Sequence, residues 1–239
     1  MTKLSVNINK IATLRNARGG DIPNVLNAAK SIENFGAEGI TIHPRPDERH
    51  ITRKDAYALK QVIKTEYNIE GYPSEEFIEL VINIQPTQVT LVPDGPEVLT
   101  SNAGWNCIEH QEFLTPIVQR FHEADIRVSL FIDPLPNQAE SAKICGADRV
   151  ELYTEAYASE FYTNKEKAIL PYKLTAEKAN NIGLDVNAGH DLNLDNLRYF
   201  IQEIPIIKEV SIGHALISDS LYLGLNNAVQ LYKSKINSI

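Results

Sequence analysis

The chain has 239 residues, a formal net charge of −8, 43% hydrophobic and 23% charged residues. That is the size of one large α/β domain or two small ones, with the composition of an ordinary soluble globular protein. No basic run interrupts the acidic balance, which speaks against a nucleic-acid partner and against an anionic membrane surface.

The first twenty residues, MTKLSVNINKIATLRNARGG, hold no long apolar stretch and no small-residue cleavage site, so no secretory signal is expected. No window approaches the roughly 18 apolar residues of a spanning helix. A cytoplasmic setting is expected, with Cys107 and Cys145 as reduced thiols because they lack C-x-x-C spacing.

In chain order, eight segments read as strands: LSVNI (4–8), GITIH (39–43), NIEGY (68–72), TQVTLV (87–92), RVSLFID (127–133), RVELY (149–153), LDVNAG (184–189) and EVSIGH (209–214). Helical patterns alternate with them, among them 21–35, 53–67, 73–84, 163–182 and a region around 108–124. A recurring phrase joins the two kinds of segment: a helix closes on Gly or Ala and turns into a short β-branched strand, as in NFGAEGITIH (34–43) and CGADRVELYT (145–154). The strands read as continuous apolar runs, the pattern of a parallel sheet covered on both faces. Eight alternating units predict a single (β/α)8 barrel over 1–239. An open doubly wound sheet is the alternative, and the absence of G-x-G-x-x-G after the first strand counts against it.

In such a barrel the chemistry stands at the C-terminal ends of the strands. Those ends carry Asn7, Asn9 and Lys10 after the first strand, and His43, Arg45 and His50 after the second. Glu70 stands on the third, Thr100 in the loop after the fourth, and Glu151 on the sixth. The seventh ends in Asn187, Gly189, His190 and Asp191, and the eighth in Gly213 and His214. Four of the six histidines fall on this rim, and His110 and His122 fall in the helical region. Glu70, between Ile69 and Gly71, needs a partner or a raised pKa, as a general base would have. Glu151 alternates with Val150 and Leu152 and should point into the barrel, where an idle carboxylate would carry a desolvation cost.

Phosphate is the expected ligand. Glycine-containing turns after strands seven and eight, here NAGHD and SIGHA, commonly hold it through backbone N–H groups, and Arg18 and Arg45 can add bidentate contacts. No metal site is expected, because no H-x-H, H-E-x-x-H or carboxylate pair stands at ligand spacing.

The ordered set SVNINKIATLRNARGG, GITIHPRPDERHIT, NIEGY, VTLVP, VSLFID, VELYT, VNAGHDL and SIGHALI resembles the pyridoxine 5'-phosphate synthase family over nearly the whole chain. The resemblance implies a (β/α)8 barrel that assembles as a homo-octamer and needs no metal or organic cofactor. Its two phosphorylated small-molecule substrates would be 3-amino-2-oxopropyl phosphate and 1-deoxy-D-xylulose 5-phosphate. Condensation would give pyridoxine 5'-phosphate, phosphate and water. By the same resemblance, His43 is the proton acceptor, Glu70 a second acid/base group, His190 the proton donor, and Glu151 the inward group that stabilises the transition state. Asn7, Arg45, His50 and Thr100 would hold the deoxyxylulose phosphate. Arg18, Gly213 and His214 would hold the amino-ketone phosphate. The loop 93–107 is the candidate lid.

The chain departs from the family pattern at three places: Asn9 stands for Asp, Lys10 for His, and Asp191 for Gly. The first two make the wall more positive and suit a phosphate ester. Asp191 brings a negative charge to a phosphate turn and is expected to bind the amino-ketone phosphate through its N–H with the carboxylate turned outward, capping a helix that begins near Asn193. Two other functions compete. A phosphosugar epimerase or aldolase would want a metal or an inward lysine, for which Lys10 is the nearest candidate. A silent barrel sensing a phosphorylated metabolite would accommodate the three departures.

Overall fold

The structure, a computed structural model, describes residues 1–94 and 103–237. Eight parallel strands close into a barrel in chain order, with the last hydrogen-bonded to the first. They are β1 (Lys3–Asn7), β2 (Gly39–Ile42), β3 (Glu66–Gly71), β4 (Gln88–Leu91), β5 (Arg127–Ile132), β6 (Arg149–Tyr153), β7 (Asp185–Gly189) and β8 (Glu209–Ile212). Each matches an expected strand to within two residues at either end, and the open-sheet alternative is ruled out by closure.

The strands are not the continuous apolar runs expected. Side chains alternate across a strand, and here the two faces differ in kind. Leu4 and Val6, Ile40 and Ile42, Val89 and Leu91, Val128 and Leu130, and Val150 and Leu152 are fully buried in one apolar core cluster. The alternate positions, Ser5, Thr41, Asn68, Gln88, Thr90, Ser129, Arg149, Glu151, Asn187 and Glu209, are buried and polar. The hydrophobic core therefore sits between the sheet and its sheath of helices, and the barrel lumen is polar, where branched apolar side chains usually fill it.

The helices are α1 (Asn9–Asn16), α2 (Val25–Asn34), α3 (Arg53–Lys60), α4 (Glu75–Ile84), α5 (Gln111–Glu123), α6 (Pro136–Ile144), α7 (Glu155–Asn181), α8 (Leu197–Glu203), α9 (His214–Leu223) and α10 (Leu225–Asn237). The expected helix 53–67 stops at Lys60, because the chain must reach β3 at Glu66. Its start is set by a capping box: Thr52 Oγ1 accepts from the Asp55 N–H, and Asp55 accepts from the Thr52 N–H. The expected helix 163–182 begins earlier, at Glu155, and is broken at Asn164 (φ −157°, ψ 87°). The Asn164 side chain accepts from the Lys167 N–H at 2.9 Å, starting the helix afresh. Among the described residues, no helix is long and apolar enough to cross a membrane.

One interaction explains why the IATLRNARG and ERHIT segments go together. Arg15, buried on α1, makes two hydrogen bonds to the Asp55 carboxylate (2.7 and 2.8 Å) and one to the His50 carbonyl (3.2 Å). Asn16 Nδ2 donates to the same carbonyl at 2.8 Å and to that of Arg49 at 3.2 Å. The loop after β2 is thereby locked to α1.

Candidate active site

The barrel mouth is built from the polar face of the strands. At the ends of β1, β2 and β3 a relay of asparagines sets the geometry. The Asn9 N–H donates to Asn7 Oδ1, and the His43 N–H donates to Asn9 Oδ1, both at 3.0 Å. Asn7 Nδ2 donates to Glu70 Oε2 at 3.3 Å. Asn9 thus acts on His43 through a side-chain oxygen, an acceptor that asparagine and aspartate share.

His43 Nδ1 and Glu70 Oε2 lie 3.9 Å apart, with 9% and 13% of their side chains exposed. Burial, reinforced by the charges of Arg45, His50 and Arg49, pushes His43 well below the usual histidine range. Burial, reinforced by Glu151 and Asp94, pushes Glu70 well above the usual carboxyl range. The two are therefore not an ion pair at neutral pH. A neutral imidazole, ready to accept a proton, stands beside a carboxyl that holds its proton more tightly than usual.

Glu151 projects inward from β6, and its Oε2 finds no hydrogen-bond partner among the described residues. Burial pushes it up to about 7, against the opposing pull of His190, Arg149 and Thr90. Gly189 on the adjacent strand makes room for it: a Cβ there would stand 2.5 Å from Glu151 Oε1 and 2.9 Å from the Ser211 carbonyl. Gly213 likewise keeps clear of Asn7, whose Cβ would lie 3.1 Å from an added Cβ.

His190 follows β7 with a left-handed backbone (φ 95°), a conformation that costs a non-glycine residue about 1–3 kcal/mol. Its Nδ1 lies 2.6 Å from Asp191 Oδ2, and its ring meets the Tyr153 ring edge-on with 5.5 Å between centroids. Asp191 is not the expected helix cap. The next helix begins only at Leu197, and the Asp191 N–H donates to Thr154 Oγ1 at 3.2 Å. Both groups through which Asp191 was expected to meet phosphate or cap a helix are engaged within the protein.

Of the other expected site residues, Arg45 is buried and pairs with Asp94 at 2.9 Å. His50 accepts the Ile51 N–H on Nδ1 at 2.9 Å, and burial, with Arg45, Lys10 and Arg49, pushes it down to about 4. Lys10 and Arg18 stand exposed on α1 and just after it, and His214 is exposed as the first residue of α9, with Gly213 at its N-cap. Thr100 lies outside the described residues, as does most of the candidate lid 93–107. The two histidines of the helical region separate: His110, just before α5, packs its ring on Trp105 (5.3 Å), and His122 in the last turn of α5 bonds Asp148 at 2.8 Å. A cavity of about 260 Å³, lined by His43, Arg45, Gly71, Tyr72, Phe77 and Asp94 among others, adjoins the ends of β2 and β3. Among the described residues, no group of three or more His, Cys, Asp or Glu side chains is placed to hold a metal ion.

Residues 4–238 match the sequence profile of the family described as pyridoxal phosphate biosynthesis protein PdxJ. The chain belongs to the PdxJ family. Among its curated relatives, the pyridoxine 5'-phosphate synthase of Cytophaga hutchinsonii is 62% identical over 232 residues, 97% of this chain and 98% of the relative. The enzyme of that name from Bacteroides thetaiotaomicron is 58% identical over 234 residues, 98% and 99% of the two chains. The chain is thus an enzyme of pyridoxine biosynthesis. The solved structure of KGPDC from Streptococcus mutans shares the fold alone, with a TM-score of 0.65, 12% identity and coverage of 100% of this chain and 99% of that one.

Sequence reasoning passed over two mouth residues in this PdxJ chain. Asp94 pairs with Arg45 and raises Glu70 and His190. Tyr153 packs on His190. The available signal was positional: both stand just at or beyond a strand's C-terminal end.

Proposed function

We propose that the protein condenses 3-amino-2-oxopropyl phosphate with 1-deoxy-D-xylulose 5-phosphate to give pyridoxine 5'-phosphate, phosphate and water. One observation carries the reading: in a chain of this family, His43 and Glu70 lie side by side at the barrel mouth with their proton affinities shifted in opposite directions.

The chemistry calls for such groups. The substrate amine attacks a ketone, water leaves, a carbon is deprotonated, a phosphate is expelled, and a second carbonyl is attacked to close the ring. Each step moves a proton, and a placed acid or base supplies about 10²–10⁴-fold. His43 accepts a proton from carbon through its neutral imidazole. Glu70 carries protons to and from the departing oxygens. Glu151 faces the positive charge that develops on nitrogen, and His190 donates to a leaving oxygen. The substrate brings its own amine, so no Schiff-base lysine is required. The ring's phosphorylated arm comes from the amino ketone, so the sugar's phosphate is the one released.

Asn7, Arg45, His50 and Thr100 would bind the deoxyxylulose phosphate, with Asn9 and Lys10 on the same wall. Arg18, Gly213 and His214 would bind the amino-ketone phosphate at the start of α9, where unpaired N–H groups favour an anion. A homo-octamer in the cytoplasm belongs to the same reading and rests on the family resemblance.

The test is to mix purified protein with both substrates in chelator-containing buffer and follow pyridoxine absorbance and released phosphate together. Equal amounts of both products, lost in His43→Ala, are expected. Binding of both substrates without product would overturn the reading in favour of a sensor.

A further inference from the structure

We propose that Asp191 is a positioning residue that holds His190 in a fixed orientation as the protonated donor at the barrel mouth. The proposal rests on the synthase reading only for the identity of the oxygen that receives the proton.

The geometry is that of an imidazole with a dedicated carboxylate. Asp191 Oδ2 lies 2.6 Å from His190 Nδ1, the short distance of a charge-assisted hydrogen bond. The carboxylate is placed by the framework rather than by chance. The Asp191 N–H donates to Thr154 Oγ1 (3.2 Å), and Thr154 Oγ1 itself donates to the Gly189 carbonyl (2.7 Å). On the other side, Asn196 Nδ2 donates to the Asp191 carbonyl (3.3 Å). Thr154 and Asn196 are fully buried, so the backbone that carries the carboxylate is pinned from both flanks. Tyr153 packs against the ring edge-on.

Among the described residues, the carboxylates that bear on the ring act in the same sense: besides Asp191, these are Glu151 on β6 and Asp94 after β4. Tyr153 is neutral at working pH, and on β8 the Ser211 carbonyl accepts the His190 N–H at 3.4 Å. Burial works to lower the His190 pKa, yet the bond to Asp191 and these carboxylates raise it above the ordinary histidine value. His43, at the same mouth, is lowered. The two histidines thus divide the roles of donor and acceptor.

In the step itself the Nε2–H bond of the imidazolium breaks as an O–H bond forms on the departing oxygen, and the electron pair stays on Nε2. Asp191 keeps its negative charge and its bond to Nδ1–H throughout, so the neutral ring holds its orientation and tautomer and takes its next proton from solvent. A carboxylate that orients an imidazole without itself being protonated is a general device.

The test is Asp191→Asn, which keeps an acceptor and removes the charge, in the full-length protein. The His190 ring resonance, assigned by its loss in His190→Gln, is titrated by NMR in wild type and variant. Its midpoint is expected to move to lower pH. In parallel, the basic limb of kcat for pyridoxine 5'-phosphate formation should move to lower pH in the variant. Its kcat should converge on wild type in acid and fall about tenfold or more above neutrality, within the range a positioned acid supplies. An unmoved NMR midpoint, or a loss of kcat equal at every pH, overturns the proposal. If the wild type makes no product, the synthase reading fails while the NMR titration still decides the role of Asp191.

Discussion

The two ends of the barrel lumen use the same residue types to opposite effect. Glu66 and Glu70 stand on one strand, four residues apart, and both point into the lumen. At the closed end Glu66 is met by Arg127, by Arg149 at 3.4 Å and by Lys3 at 3.9 Å, and Arg149 also reaches Asp185 at 3.5 Å. At the mouth, among the described residues, Glu70 meets the Asn7 amide at 3.3 Å and the unprotonated His43 at 3.9 Å, with Arg45 acting from farther off. A buried carboxylate surrounded by cations is a structural plug. One that faces an amide and an imidazole, with Glu151 and Asp94 nearby, holds its proton more tightly and can trade it. Glu209 is the exception at the closed end. Among the described residues neither carboxylate oxygen has a hydrogen-bond partner, and burial beside Glu66 pushes it up to about 8.

Substitutions at the two ends should break this contrast in different observables. The largest effect belongs to the mouth. Glu70→Gln is expected to lower kcat by about 10²–10⁴-fold while leaving the unfolding midpoint in urea at or above that of wild type, because a desolvated acid has been removed. A variant that unfolds early would place Glu70 among the structural carboxylates.

The next effect is a matter of pH. The Glu151 carboxyl sits near 7 in the fold and near 4.3 in an unfolded chain. A raised carboxyl binds its proton more tightly when folded, so its stability contribution is complete in acid and is lost as pH rises through about 7. Glu151→Gln escapes that loss. It should match wild type at about pH 4 and exceed it by about 3–4 kcal/mol at pH 8, as read from melting across that range. Equal stabilities at pH 8 would mean that Glu151 is solvated or paired in solution.

The smallest effect belongs to the closed end, where Arg149→Met should destabilise the fold by about 1–3 kcal/mol, since Glu66 loses its most buried cation while keeping Arg127 and Lys3. Urea denaturation at neutral pH measures it. The product formed per folded molecule should change little, and a specific loss of turnover would join the two ends into one functional unit.

Much of this molecule could be read locally. Strand positions followed from short β-branched runs closed by Gly or Ala, and the rim residues followed from strand ends, because period and chain direction are local properties. The polarity of the lumen is also written in the alternation of sequences such as RVELY and TQVTL, yet apolar residues dominate any short window and give it the look of uniform burial. Partners could not be read at all. Arg18 attracted notice in the IATLRNARG segment, whereas the buried guanidinium there is Arg15, whose carboxylate stands forty positions away at Asp55. Asp191 looked like a helix cap, and only the approach of β6 to β7, which brings Thr154 beneath its amide, turns its carboxylate onto His190.

By itself the sequence determined the eight-fold βα alternation and which side chains end each strand. The tertiary structure alone decided which carboxylates are neutralised and which stay protonated. Charge and proton affinity depend on what closure of the barrel brings within a few ångströms, and those neighbours come from strands far apart in the chain.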